Sequence, residues 1–182
     1  MKLIKKILNS FRGEQNLDKL IKRGLRLGKN FKRMGGVIID PSHCWHITIG
    51  NNVTLAPRVH ILAHDASTGM FLKYTKIGNV TVGNNVFIGA NSVVLLGVNI
   101  GDNVIIGAGS VVTRDIPSNS VAVGNPAKVI CSLDEYLEKE KKKMNDTKIF
   151  GDEYTVRNKK MTIKQKQEMI DVCVHRSRAY VI

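Results

Sequence analysis

His64 is the side chain best placed to do chemistry in this 182-residue chain. It closes the run Val59-His60-Ile61-Leu62-Ala63-His64 and stands immediately before a stretch that leaves the surrounding pattern, where a side chain can project beside a loop. Imidazole has a reference pKa near ~6.5, so it is largely neutral at physiological pH and can accept a proton and pass it on. Asp65 follows directly. Adjacent residues need not meet through their side chains, so three roles stay open for Asp65: orienting or polarising a histidine, capping the loop turn, or contacting a substrate. His43, His46 and His60 lie close by without a spacing that repeats as a ligand set, and Cys44, Cys131 and Cys173 share no metal-ligand pattern. No metal is therefore expected, with a zinc site on the histidines as the minor alternative. No Ser or Cys nucleophile motif is visible.

The elements that must position these residues are legible from a strict period of six. Val82, Ile88, Val94, Ile100, Ile106 and Val112 recur at that interval, and Val80, Val86, Ser92, Val98, Val104 and Ser110 stand two residues before each. Gly and Asn fill the rest, as in Gly83-Asn84-Asn85 and Gly107-Ala108-Gly109. An amphipathic helix needs apolar residues at 3, 4 and 7, and a half-buried strand needs an unbroken period of 2. A period of six with turn formers between fits neither. It predicts an all-β chain, a parallel β-helix of very short strands joined by tight turns.

Leu27-Gly28-Lys29-Asn30-Phe31 is the first credible repeat unit, and Ile39, Ile49, Leu55 and Ile61 continue the aliphatic rows. The step from Ile39 to Ile49 is ten rather than twelve, so one turn is expected to be short or distorted around Pro41–His46. Residues eighteen apart fall in register on such a coil, which would stack His46 beside His64. Ile61 to Val82 is twenty-one residues, three more than a whole number of hexads, so an excursion should leave the coil between about Asp65 and Lys76. Its Met70, Phe71, Leu72 and Tyr74 need something to cover. The repeat breaks at Arg114-Asp115-Ile116-Pro117, where proline removes a strand donor. Ser132-Leu133-Asp134-Glu135 and Thr162-Ile163-Lys164-Gln165 read as capping boxes, opening helices to about Met144 and about Cys173. The division is thus one domain over 1–182, with a helical segment at 1–24, a β-helix at 25–131 with its excursion at about 65–76, and a helical extension at 132–182. The terminal helices are expected to shield the open end of the coil.

The net charge is +13, and its distribution matters more than its size. Residues 1–33 hold eleven Lys/Arg against two acids, whereas 40–131 hold five against four. The basic ends suit anionic partners in principle. No nucleic-acid motif accompanies them, and the ten aromatic residues do not interleave with the bases, so no nucleic acid is expected. Residues 1–12 place Leu3, Ile4, Ile7, Leu8 and Phe11 at helical spacing among lysines. That pattern suits peripheral contact with an anionic membrane, or packing against the coil or a neighbouring subunit. It is too broken by lysine to span a bilayer. The cysteine usage predicts a cytoplasmic protein.

The run Val82–Ile130, with Gly109-Ser110-Val111-Val112-Thr113-Arg114-Asp115-Ile116-Pro117 and Gly124-Asn125-Pro126-Ala127-Lys128-Val129-Ile130, resembles the hexapeptide-repeat acyltransferases. It is most similar to the galactoside/maltose O-acetyltransferase branch and its relatives that modify capsular, exopolysaccharide and lipopolysaccharide sugars. The resemblance covers about residues 25–131. It implies a left-handed prism of about eighteen residues per coil, a homotrimer with active sites between adjacent prisms, acetyl-CoA as co-substrate, and a sugar or glycan as acceptor.

On that resemblance His64 matches the family's catalytic histidine, which precedes a loop and then Thr81-Val82-Gly83-Asn84-Asn85-Val86. It would take the proton of a sugar hydroxyl attacking the thioester. Some relatives pair this histidine with an acid at the position of Asp65. Ala90 and Ala108, eighteen apart, match backbone contacts along the pantetheine arm, where small residues permit close approach. Thr113, Arg114 and Lys128 match positions near the nucleotide end of CoA, and basic side chains there suit its phosphates. Asp40 matches an acidic residue on the acceptor side. Trp45, in the distorted turn, offers an indole face on which a sugar can stack, or packing at a trimer interface. An asparagine that some relatives carry upstream is replaced here by Met34-Gly35-Gly36. N-acetylation of a nucleotide-linked amino sugar, or a non-catalytic scaffold, are the competing readings.

Overall fold

The computed structural model describes residues 15–158, 160–176 and 178–182; the amphipathic stretch at 1–12 lies outside them. Two compact units divide at Leu133/Asp134.

The first unit is a coil of three parallel sheets. One face stacks Arg26–Leu27, Ile47–Ile49, Val80–Val82 and Asn99–Ile100. The second stacks Lys32–Arg33, Thr54–Leu55, Phe87–Ile88, Val104–Ile106 and Ser120–Val123, and the third Ile38–Ile39, His60–Ile61, Val93–Val94 and Val111–Val112. The chain visits the faces in this order, and the architecture is the left-handed parallel β-helix. All six aliphatics of the hexad row are at most 1% exposed, and the six residues two positions earlier are buried as well. Each buried aliphatic contributes about 1.5–3 kcal/mol. Ser92 and Ser110 can sit inside because both hydroxyls donate to the Gly107 carbonyl, at 2.9 and 2.7 Å.

One corner is an asparagine ladder. Asn30, Asn52, Asn85, Asn103 and Asn119 all adopt φ between 56 and 57°, save Asn85 at 55°. Each side-chain amide donates to the next at 2.9 Å. Asparagine suits the left-handed conformation that the corner demands, and its amide pairs the coils outside the sheets. Gly28 and Gly50, two residues earlier in their coils, leave no room for a side chain. A Cβ on Gly28 would lie 2.5 Å from the Gly50 carbonyl carbon, and one on Gly50 would lie 2.7 Å from the Gly83 oxygen.

Two departures from the hexad reading fix the site. Ile39 pairs with Ile61, twenty-two residues on, while Ile49 lies on the next face. The ten-residue step is therefore one hexad lengthened by four, not two hexads shortened by two. A 3₁₀ turn, Cys44–His46, occupies the surplus. Val93 pairs with His60, thirty-three residues earlier, so the coil that carries the excursion is fifteen residues longer than the regular eighteen. His64–Asp65 and Lys76–Ile77 pair antiparallel at its base, and Gly69–Leu72 forms a short helical turn within it. The last coil is also closed differently. Lys128–Ser132 returns antiparallel along Ser120–Val123, so on that face a strand, not a helix, occupies the sheet edge.

Leu17–Lys22 is helical, capped by the Asn16 side chain, which accepts from Lys19 N–H. The second unit holds the helix Ile163–Arg176, three residues longer than expected, and all but the first residue of Leu133–Asn145. The capping box at Thr162 is formed: Thr162 N–H donates to Gln165 Oε1 at 2.8 Å and Gln165 N–H to Thr162 Oγ1 at 3.2 Å. Ile149–Phe150 pairs with Tyr180–Val181, and Tyr154 packs on the buried Phe150 ring.

Candidate active site

The four added residues around Pro41–His46 give the chain room to fold back over the end of the His60–Ile61 strand. Asp40, fully buried at the end of its own strand, becomes the hub of that turn. Its Oδ1 accepts from the backbone N–H groups of Ser42 at 2.9 Å and His43 at 3.1 Å. Its Oδ2 accepts from Ala63 N–H at 3.0 Å and is in hydrogen-bond contact with Nδ1 of His64. Burial pushes the Asp40 carboxyl up, but the hydrogen bonds from His64, Ala63, His43 and Ser42 outweigh it and hold the group below its ordinary value. An ionised carboxylate only accepts, so His64 Nδ1 carries the hydrogen and the neutral ring keeps its lone pair on Nε2. That is the tautomer a general base needs. The His64 side chain is 29% exposed, so the ring reaches solvent while its far nitrogen is anchored.

Of the three roles left open for Asp65, its contacts are those of a turn cap and not of an acid bonded to His64. Asp65 pairs with Lys76 across the excursion base at 2.5 Å and accepts from Ser67 N–H at 2.8 Å. The Lys76 ammonium and Ser67 together hold its carboxyl well below the usual carboxylate range. The acid on the histidine is Asp40, which the family correspondence had put on the acceptor side; with no exposed surface it has no access to an acceptor. In a strand, neighbouring side chains point to opposite faces, whereas residues stacked on successive coils share one. His46 is likewise not stacked on His64. Its Nδ1 lies 2.8 Å from Asn79 Oδ1 at the end of the excursion, and His43 takes the place beside His64, ring centroids 4.8 Å apart. The His43 spacing gave no signal of this; only the four-residue surplus, correctly counted, could have found it.

Asp40, His43 and His64 bring ligand-type atoms within 4.8 Å of one another. All four acceptor directions of the Asp40 carboxylate are already taken by N–H groups, so an ion there would have to displace one of them. Trp45, 42% exposed, lies 5.3 Å from the His43 ring and 6.0 Å from the His46 ring, and so continues an aromatic shelf away from His64.

Of the other expected site residues, Ala90, Ala108, Thr113 and Arg114 flank strands of the third face, and Lys128 opens the returning strand on the second. Ala90 and Ala108 occupy one corner on successive coils, with Gly109 N–H donating to the Ala90 carbonyl at 2.8 Å. That corner precedes the strands of the third face, whereas His64 follows one of them, so one chain sets the two on opposite edges of the same face. Thr113 and Arg114 are exposed and follow Val111–Val112, on the His64 edge. Lys128 is exposed, and the neighbouring Ala127 N–H bonds the Val111 carbonyl at 2.8 Å.

The hexapeptide repeat of succinyl-transferase family matches residues 79–114. Protein CapG of Staphylococcus aureus is 45% identical over 130 residues, which cover 67% of this chain and 74% of that protein. A maltose O-acetyltransferase from Clostridium difficile 630 superposes with a TM-score of 0.53 at 31% identity, over 72% of this chain and 84% of the other. A hexapeptide-repeat acetyltransferase of Vibrio cholerae O1 biovar eltor, solved with acetyl coenzyme A, gives 0.54 at 28% identity over 61% of each chain. With its coils, its excursion and these likenesses together, the chain belongs to the hexapeptide-repeat acetyltransferases, in the galactoside/maltose O-acetyltransferase branch.

Proposed function

We propose that this acetyltransferase moves the acetyl group of acetyl-CoA to a sugar hydroxyl of a bacterial surface polysaccharide or its precursor, with His64 as general base. The observation that carries the reading is the buried Asp40 carboxylate bonded to His64 Nδ1, which leaves Nε2 bare at an exposed coil end. The acceptor hydroxyl gives its proton to Nε2 as its oxygen bonds to the thioester carbonyl carbon. Asp40 stabilises the imidazolium so formed. Collapse of the tetrahedral species breaks the carbon–sulfur bond, and the departing thiolate takes the proton back from His64. The balance is one ester formed, one thioester cleaved and one thiol released, with no covalent enzyme intermediate.

Ala90 and Ala108 offer a corner that a pantetheine arm can approach closely, and Arg114 and Lys128, with Thr113, suit the phosphates of the nucleotide end. The separation of these alanines from His64 within one chain favours a site shared between copies in a homotrimer. Outward apolar residues supply surface for such contacts, among them Phe87 at 45% exposed and Met70 and Phe71 of the excursion at 88 and 82%. Trp45 is the candidate platform for the sugar ring. No helix among the described residues is long and apolar enough to cross a membrane; we place the enzyme in the cytoplasm, with residues 1–12 as its contact to an anionic membrane face.

An acceptor screen tests the reading: thiol release from acetyl-CoA is followed, and the acetyl group is located by mass spectrometry and NMR. Ester formation on a sugar hydroxyl is expected. Transfer to amines alone would establish the amino-sugar N-acetylation alternative instead.

A further inference from the structure

His43 is the one side chain among the described residues with a buried nitrogen that has no hydrogen-bond partner, its Nδ1. Its ring lies against the His64 ring at 4.8 Å, tilted by 37°, and its backbone N–H holds the same Asp40 carboxylate that holds His64. Neither Nε2 is bonded to a described group, both side chains keep contact with solvent, and the ring contact sets the two imidazoles next to one another.

The polarity of each edge follows from its other nitrogen. His64 gives its hydrogen to Asp40 at Nδ1, so its Nε2 is an acceptor. For His43, a hydrogen on Nδ1 would be a buried N–H with nothing to bond, the rarer and costlier kind of orphan. The neutral ring therefore carries its hydrogen at Nε2, where solvent or a ligand can satisfy it, and that edge is a donor.

We propose that the His43–His64 pair reads two adjacent oxygens of the acceptor, a vicinal diol of a sugar: the reacting hydroxyl donates to His64 Nε2, and its neighbour oxygen accepts from His43 Nε2–H. This rests on the acetyl-transfer reading above and adds a substrate requirement, an oxygen next to the acetylated position. A lone hydroxyl would leave the His43 donor unused.

Two measurements decide it. Nitrogen-15 imidazole spectra of the intact protein should show opposite tautomers, hydrogen at Nδ1 on His64 and at Nε2 on His43; hydrogen at Nδ1 on His43 overturns the proposal whatever the substrate. Kinetics then compare a methyl hexopyranoside accepted by the wild type with its analogues lacking one hydroxyl beside the acetylated carbon. His43→Phe keeps a ring of similar breadth without the donor, and His43→Gln restores an N–H near the Nε2 position. With the diol, His43→Phe should lose roughly 3–10-fold in kcat/KM, the worth of one neutral hydrogen bond, and His43→Gln should recover much of it. With the analogue lacking the contacted hydroxyl, wild type and His43→Phe should be equal. An equal loss on every acceptor would mean that His43 merely packs against His64, and the proposal fails. If the wild type acetylates no hydroxyl at all, the acetyl-transfer reading itself has failed, which is a separate result.

Discussion

Asp40 and His64 are bonded side chain to side chain although twenty-four residues separate them in the sequence. The coil brings them together because strands pair at an offset of twenty-two here, instead of the eighteen that holds between Val93 and Val111. The four extra residues form the turn whose Ser42 and His43 N–H groups occupy one oxygen of the carboxylate, while Ala63 N–H shares the other with His64. One insertion thus builds both the anion and the lid that keeps water from it.

The first expectation is that His64→Ala lowers kcat by roughly 10²–10⁴-fold, the usual worth of a positioned proton transfer. The side chain sits at an exposed coil end and not among the buried aliphatics, so the thermal transition and acetyl-CoA binding should stay close to wild type. Steady-state kinetics beside calorimetry check this. Near-normal turnover would remove the histidine-base mechanism.

Asp40→Asn should be damaging in two ways. An amide has one acceptor oxygen where the carboxylate has two, and each Asp40 oxygen accepts from two N–H groups, so two of the four donors lose their acceptor and face an NH2 group instead; a buried donor left unsatisfied costs about 1–3 kcal/mol. The His64 ring also loses the group that fixes its tautomer, so kcat should fall as well. The pH dependence has a definite sign. Because the folded carboxyl lies below its ordinary value of 3.8, its contribution is fully present above that pH and is lost as pH falls through the lower folded value. The stability gap between wild type and Asp40→Asn should hold from neutral pH to about 4 and narrow below it. A gap that narrows between pH 5 and 7 would mean that the carboxyl is not held low.

Asp65→Asn gives the contrast. It removes the charge that pairs Lys76 at the excursion base and touches nothing on His64. Turnover at saturating substrates should stay within a few-fold of wild type, with the effect confined to the excursion, read as faster amide exchange near Asp65 and Lys76. A loss of turnover matching that of Asp40→Asn would return the orienting role to Asp65.

These outcomes mark where sequence stops being legible. The hexad row from Val82 to Val112 identified its buried positions one by one, because every coil there repeats the same six-residue step and burial alone sets the pattern. The position of His64 was legible for the same reason, as the last residue before the pattern broke, and its proposed role as base is what His64→Ala tests. The partner of His64 was not. A ten-residue gap between aliphatics is equally an overlong step or a short pair of steps, and only the pairing of Ile39 with Ile61 decides which. Adjacency left the role of Asp65 open between orienting the histidine, capping the turn and contacting a substrate, and strand geometry turns neighbouring side chains apart. Asp40 and His43 owe their place to a turn that no periodicity encodes.

The corner assigned to the pantetheine arm is tested by Ala108→Trp. Ala108 is exposed and the corner outside it is open, so the indole should be tolerated by the fold, with a melting transition close to wild type. It should fill the path along which the arm would reach the backbone, raising KM for acetyl-CoA by an order of magnitude or more while leaving KM for the acceptor near its original value. An unchanged KM for acetyl-CoA would place the donor elsewhere on the prism.

The asparagine corner supplies the last expectation. Asn85 sits at φ 55°, accepts from Asn52 and donates to Asn103, so it serves the backbone and the ladder at once. Asn85→Ala should lose both. A non-glycine, non-Asx residue in the left-handed region costs about 1–2 kcal/mol, and each net hydrogen bond adds roughly 0.5–1.5 kcal/mol. Asn85→Gly relieves the backbone cost but leaves the ladder cut between Asn52 and Asn103. Denaturant unfolding should therefore rank wild type above Asn85→Gly and Asn85→Gly above Asn85→Ala. Equal stability of glycine and wild type would show that the side-chain ladder contributes nothing net and that asparagine recurs at this corner for its backbone conformation alone.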